Sequence, residues 1–167
     1  MLELSRIEAG QPELEFQPVS VEYLIESCLE TARLKAAQRD LIVEVSVPDG
    51  LPSIRGDANR LQEVLQNLLD NAVQYTPEKG RIEVQASRVG GAVVLTVADT
   101  GIGIPQAEQG RIFERFYRVD AARSREAGGT GLGLSIARHI VDAHGGKLWV
   151  ESAVGEGSRF HFSIPAC

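Results

Sequence analysis

Along this 167-residue chain the spacing of apolar positions changes several times, and each change marks an element. After Ser20, a residue that can cap a helix, Leu24, Ile25, Cys28, Leu29 and Ala32 recur at three- and four-residue intervals. That spacing predicts a helix over about 21–39, with Glu22 in its first turn. A second stripe, Leu61, Val64, Leu65, Leu68, Leu69 and Ala72, follows Asp57 as cap and predicts a helix to about Tyr75, where Pro77 prevents continuation. A third helix is predicted over about 132–144 and stops at Gly145-Gly146. Elsewhere the period is two. Ile82, Val84 and Ala86 alternate with Glu83, Gln85 and Ser87, and Gly90-Gly91 turns the chain back through Val93–Ala98, predicting a hairpin. Leu41–Val47 is rich in β-formers and ends at Pro48-Asp49-Gly50. Two further strands, near 147–152 and 158–164, flank Gly155-Glu156-Gly157. Residues 2–9 read as the tail of a helix stopped by Gly10-Gln11-Pro12, ahead of a short extended stretch with Leu14 and Phe16.

Adjacent strand pairs without regular strand–helix alternation argue against a doubly wound sheet. The expected fold class is an α/β sandwich of the α+β kind: a mixed, mainly antiparallel sheet, covered on one face by about three helices and wet on the other.

Composition narrows the function classes. With 43% hydrophobic and 24% charged residues the chain suits one globular domain. A formal net charge of −6 argues against non-specific nucleic-acid binding. The two cysteines, Cys28 and Cys167, lie far apart without metal-ligand spacing, which argues against a disulfide framework or a zinc site and fits a reducing, cytoplasmic compartment. No apolar run approaches the roughly 18 residues of a membrane span, so no membrane contact is expected.

The helix over 58–74 carries the first chemical signal. Glu63, Asn67 and Asn71 fall four apart beside its apolar stripe, flanked by Arg60, Asp70 and Gln74. Asparagine is a poor mid-helix residue because its side chain competes for backbone hydrogen bonds. Two readings stand: a solvated face, or a row of amide oxygens facing a hard cation held by phosphates, which suits Mg2+.

Two glycine loops follow. Asp99-Thr100-Gly101-Ile102-Gly103-Ile104 ends a strand, where a carboxylate can accept from the exocyclic amine of adenine and glycines let backbone approach a flat ring. An Asp that only caps a tight turn is the plainer alternative. Gly128-Gly129-Thr130-Gly131-Leu132-Gly133-Leu134 opens directly into a helix, so its amides form an anion cradle. It is not a Walker A loop, which needs Gly-Lys-Ser/Thr after the glycines, and it follows no predicted strand as a Rossmann fingerprint would.

In this order the motifs resemble the ATPases and kinases that share the Bergerat nucleotide-binding fold, and among them the sensor histidine kinases of two-component systems. Asn67-Leu68-Leu69-Asp70-Asn71-Ala72-Val73-Gln74-Tyr75-Thr76 resembles their N box, and Asp99–Ile104 the first glycine box. Phe113-Glu114-Arg115-Phe116-Tyr117-Arg118-Val119-Asp120 resembles the F box. Gly129–Leu134 resembles the second glycine box, and Gly157-Ser158-Arg159-Phe160 the last. Leu4-Ser5-Arg6-Ile7-Glu8-Ala9-Gly10 is similar to the end of the dimerisation helix that precedes such a domain, which divides the chain into a remnant at 1–10 and a catalytic domain at 11–167.

The resemblance implies ATP and Mg2+ as ligands, with Asn67 on the metal and Asn71 supporting phosphate and metal. It implies that Tyr75 lies along the nucleotide and Asp99 holds the adenine amine. Gly101, Gly103, Ile104, Gly129, Thr130, Gly131, Leu132, Gly133 and Ser158 would line the site. Arg118 and Arg123 would reach the phosphates from a lid over about 105–130. Phe113 and Phe116 would either dock that lid against dimerisation helices or sit in the core. Glu63 occupies the position of the water-activating base in hydrolytic relatives; a merely solvated glutamate is the plainer reading. Implied partners are the dimerisation and phosphoacceptor helices of a parent kinase, anchored in the inner membrane, and a response-regulator receiver domain.

Two departures stand out. Gln74 occupies the place of a Lys or Arg that contacts the terminal phosphate. His139, His144 and His161 sit in no acceptor-helix context and read as structural or surface residues. The rival readings are an ATP-driven conformational switch and a nucleotide-binding or partner-docking module with little chemistry.

Overall fold

The computed structural model describes residues 14–115, 117 and 133–167. In chain order the elements are β1 (Gln17–Val19), α1 (Val21–Ala37), β2 (Ile42–Ser46), β3 (Ile54–Gly56) and α2 (Ala58–Tyr75). They continue with β4 (Arg81–Val89), β5 (Ala92–Asp99), a single turn α3 (Gln106–Gln109), α4 (Gly133–Ala143), β6 (Lys147–Ala153) and β7 (Gly157–Pro165). Both predicted caps form: Ser20 Oγ accepts from the Tyr23 amide at 3.3 Å, and Asp57 Oδ1 from the Arg60 amide at 3.2 Å. Each satisfies an amide that the first helical turn leaves without an intrahelical partner.

The main sheet has the order β2-β4-β5-β7-β6. Only β2 and β4 run parallel; the other neighbours are antiparallel, so the sheet is mixed and mainly antiparallel as expected. Its inner face carries Ile82, Val84, Leu95, Val97, Phe160, Phe162 and Ile164, all buried against the apolar stripes of α1, α2 and α4. The outer face carries Glu83, Gln85, Arg159, Glu151 and the half-exposed Trp149. There His161 Nδ1 and Thr96 Oγ1 lie 2.7 Å apart and the imidazole stacks on Trp149, so this polar ring is buried within a wet face. Among the described residues no helix is long and apolar enough to cross a membrane.

The sequence pattern missed a small second sheet, β1 paired antiparallel with β3. Its strands are three residues each, too short for a period to register, and their pairing is set by distant packing. Phe16, just before β1, packs edge-on against His144 at the end of α4, with ring centroids 5.3 Å apart. The entering segment is thereby fastened to the far end of the helix layer.

Candidate functional site

The carboxylate at the end of β5 is the best-defined feature of the site. Asp99 is only 9% exposed, and its Oδ1 accepts two backbone hydrogen bonds, from Gly101 at 2.8 Å and from Ser158 at 3.2 Å. With Oδ1 taken twice, Oδ2 is left to meet a ligand donor. Burial pushes the carboxyl up to about 6, and the two amides, which favour the ionised form, only partly oppose it. A buried carboxylate with one free oxygen suits a neutral N–H donor such as an exocyclic amine.

The loop after Asp99 is held at close quarters. A Cβ on Gly101 would lie 2.5 Å from the Tyr75 carbonyl oxygen and 2.7 Å from Asp99 Oδ1, so only glycine lets this loop pass between them. Gly103 has φ +76 and backs onto the Ala153 carbonyl, 2.0 Å from where a Cβ would sit. The Ile102 amide donates to Tyr75 O at 3.3 Å, and Ile102 O accepts from Gly155 at 2.9 Å. Tyr75 and the first glycine loop therefore share one wall.

On α2, Asn67 and Asn71 are half-buried rather than fully solvated. Asn67 Nδ2 donates to Gly133 O at 3.1 Å, linking this helix to the first residue of α4. The bond uses the amide nitrogen of Asn67 and leaves its oxygen as an acceptor. Among the described residues no three His, Cys, Asp or Glu side chains are placed together to hold a metal. The donor set here fits a magnesium that keeps its waters and phosphate ligands and borrows one neutral oxygen from the protein. Glu63, one turn earlier, forms an ion pair with Arg60 at 3.2 Å.

The C-terminal end of α2 lacks a basic residue in its last turn, and Gln74 supplies none. A cation comes instead from Arg39, which the sequence reading passed over. Its Nη1 donates to Gln74 O and its Nη2 to Thr76 O, both at 3.0 Å. The bare last turn of α2 was the only signal for it. Thr76, fully buried, ends the helix with its hydroxyl on Ala72 O at 2.6 Å.

Ser158 contributes its amide to Asp99, and Ile104 donates its amide to Ser152 Oγ at 2.8 Å. Phe113, half-buried against the core, packs edge-on against Phe160 with Arg138 over its ring. Of the remaining expected site residues, Arg118, Arg123, Gly129, Thr130, Gly131 and Leu132 lie outside the described residues, as do Phe116, most of the expected lid and the 1–10 segment. Asp99, Gly101, Gly103, Ile104, Tyr75 and Ser158 come together at one end of the sheet, while Asn67 meets Gly133 along the α2–α4 contact.

A mixed sheet under three helices, with a buried carboxylate and the first glycine loop at one end and asparagines on the middle helix, is the arrangement of a nucleotide-binding ATPase fold. Residues 56–167 match the family described as histidine kinase-, DNA gyrase B-, and HSP90-like ATPase, and the chain belongs to that family. Within it the likeness is to histidine kinases. The chain is 39% identical over 167 residues to the circadian input-output histidine kinase CikA of Synechococcus elongatus, covering 99% of this chain and 22% of that protein. It is 42% identical over 147 residues to the adaptive-response sensory kinase SasA of Gloeothece citriformis, covering 86% of this chain and 37% of the relative. The chain thus spans well under half the length of these relatives. Full-length ShkA in complex with AMPPNP superposes with TM-score 0.87 at 34% identity, over 99% of this chain and 34% of that one. Histidine kinase ThkA in complex with the response regulator TrrA gives 0.79 at 28%, over 99% and 47%.

Proposed function

We propose that this domain binds Mg–ATP and donates the γ-phosphoryl group to a histidine on a separate dimerisation and phosphoacceptor domain of a two-component sensor kinase. The observation that carries the reading is Asp99, buried and doubly held at Oδ1, with Oδ2 left to accept, beside a glycine loop packed too closely for any side chain. Transfer between ATP and an imidazole needs alignment and charge neutralisation more than covalent chemistry from the donor domain. Asp99 and the first glycine loop would fix the base, and Tyr75 would lie along it. Asn67, supported by Asn71, would hold Mg2+, which when bound neutralises phosphate charge. With Gln74 uncharged, the cationic contact to the terminal phosphate falls to Arg118 and Arg123. The acceptor imidazole is the nucleophile and comes from the partner helices; a response-regulator receiver domain takes the phosphoryl group afterwards.

The experiment is to incubate the domain with Mg–[γ-32P]ATP and a separately made acceptor-helix domain. Acid-labile, base-stable label on the partner supports the kinase. A second reading, a nucleotide-binding module with little chemistry, is favoured by one observation, the glutamine at position 74. ATP binding without label on the cognate partner would select it.

A further inference from the structure

Gln109 and Ser152 have no role in the site as described, yet between them they tie Ile104, Gly157 and Ser158 together at its adenine end. Ser152 lies on β6, at the sheet edge next to β7. Its Oγ accepts from the Ile104 amide at 2.8 Å, and the same oxygen is 2.8 Å from Gly157 O and 2.8 Å from Ser158 Oγ. One hydroxyl thus joins the end of the first glycine loop to the start of β7. The amide of that same Ser158 is the second donor to Asp99 Oδ1.

Gln109, the last residue of α3, adds the complementary grip. Its Nε2 donates to Ile104 O at 2.9 Å and to Ser152 O at 2.8 Å, using both hydrogens of the amide on two carbonyls. Ile104 is therefore held on both sides, its N–H by Ser152 and its C=O by Gln109. The arrangement is closed: Asp99 to Ser158, Ser158 to Ser152, Ser152 to Ile104, and Gln109 across the last two. Neither residue contacts the place where Asp99 Oδ2 meets a ligand, so both act through others.

We infer that Gln109 and Ser152 form a two-residue clasp that positions the first glycine loop against Asp99, and that they are positioning residues for nucleotide recognition at its adenine end. This rests on the reading of Asp99 as the adenine anchor. Two consequences follow from the geometry. The residues act as one unit, because Gln109 grips the peptides whose other polar groups Ser152 organises. Their effect falls on the base and is the same whether the nucleotide ends in two phosphates or three.

The test measures the Kd of Mg–ATP and Mg–ADP for the unaltered chain, Ser152→Ala, Gln109→Met and the double variant, with Ser152→Thr as the variant that keeps the hydroxyl. The expected result is a loss of about tenfold for each single variant, equal for ATP and ADP. The double variant should be no worse than the weaker-binding single, and Ser152→Thr should recover most of the affinity. Losses that multiply in the double variant, or that fall on ATP alone, overturn the clasp. If Ser152→Ala does not fold, Gln109→Met decides, since it keeps volume and leaves the serine hydroxyl in place: unchanged affinity overturns the proposal and an equal loss for both nucleotides supports it. A chain that binds neither nucleotide before any substitution refutes the ATP reading itself, a result distinct from variants that bind as well as the unaltered chain.

Discussion

His144 Nε2 accepts a hydrogen bond from the backbone amide of Asp57 at 3.0 Å, while its Nδ1 donates to Ile140 O at 2.7 Å. One buried neutral ring therefore ties the capping residue of α2 to the C-terminal turn of α4, and Phe16 packs against its edge. At the other end of α4, the Gly133 carbonyl accepts from Asn67, midway along α2. The helix that follows the second glycine loop is thus fastened at both of its ends to the helix that carries the asparagine row.

Replacing His144 with Ala leaves a buried amide without its acceptor and opens a void under Phe16. The expected cost is about 2–4 kcal/mol, a fall in Tm of roughly 5–15 °C. Thermal unfolding without nucleotide measures it; a melting temperature within a degree of the parent would show that the ring holds nothing.

Asp99 makes stability and binding respond to pH in opposite directions. Its carboxyl titrates near 6 in the fold against 3.8 in the unfolded chain, so the fold holds the proton more tightly. Unliganded stability from this group is present in full below the unfolded value and is lost as pH rises through about 6, an effect of roughly 3 kcal/mol. With Asp99 as the proposed adenine anchor, binding should use the ionised form and weaken as pH falls through that same value. Asp99→Asn should raise the unliganded melting temperature at pH 8 while cutting nucleotide affinity by about a hundredfold or more. Denaturation and titration calorimetry across about pH 4–8 test both halves; parallel pH trends would contradict the assignment.

Arg39 supplies the cation that α2 lacks at its own C-terminus. Arg39→Met should cost about 1–2 kcal/mol by chemical denaturation, because the positive end of that interaction and two charge-assisted hydrogen bonds are lost together. Arg39→Lys, unable to bridge both carbonyls with a planar fork, should recover only part. Full recovery would mean that charge alone matters.

Asn67→Ala should separate metal-dependent from metal-independent binding. Affinity for ATP with Mg2+ is expected to fall about tenfold or more, with a much smaller change in EDTA. Equal losses in the two conditions would point to the Gly133 contact instead of a metal ligand.

Most of the fold was legible because its signals are local. The Ser20 and Asp57 caps, the stripes of α1 and α2, and the hairpin around Gly90 are all written within a few residues of where they act. The parts that were not legible are long-range. Nothing near Arg39 announces that its guanidinium meets carbonyls 35 and 37 residues away, and a lone serine on an edge strand gives no hint of the Ile104 amide. The asparagine row left two readings open because period alone cannot say what faces a helix; the Asn67–Gly133 bond now shows a half-buried neighbour. Gln74 marks a missing charge, but the charge that meets the backbone there comes from Arg39, just past the end of α1 in another part of the chain.

The strand order has a consequence for when the pocket can exist. β7 lies inside the sheet between β5 and β6, pairing Ala92 with Pro165 and Asp99 with Ser158. Until β7 docks, Asp99 lacks its second amide, Ser152 lacks Gly157 and Ser158, and the sheet stops at β5. A ribosome-bound chain that has emerged only through β6 would thus hold all of α2, the asparagine row and both glycine loops, and still bind no adenine. Nucleotide binding by arrested nascent chains of increasing length would then switch on in one step, as the segment around Ser158 clears the exit tunnel.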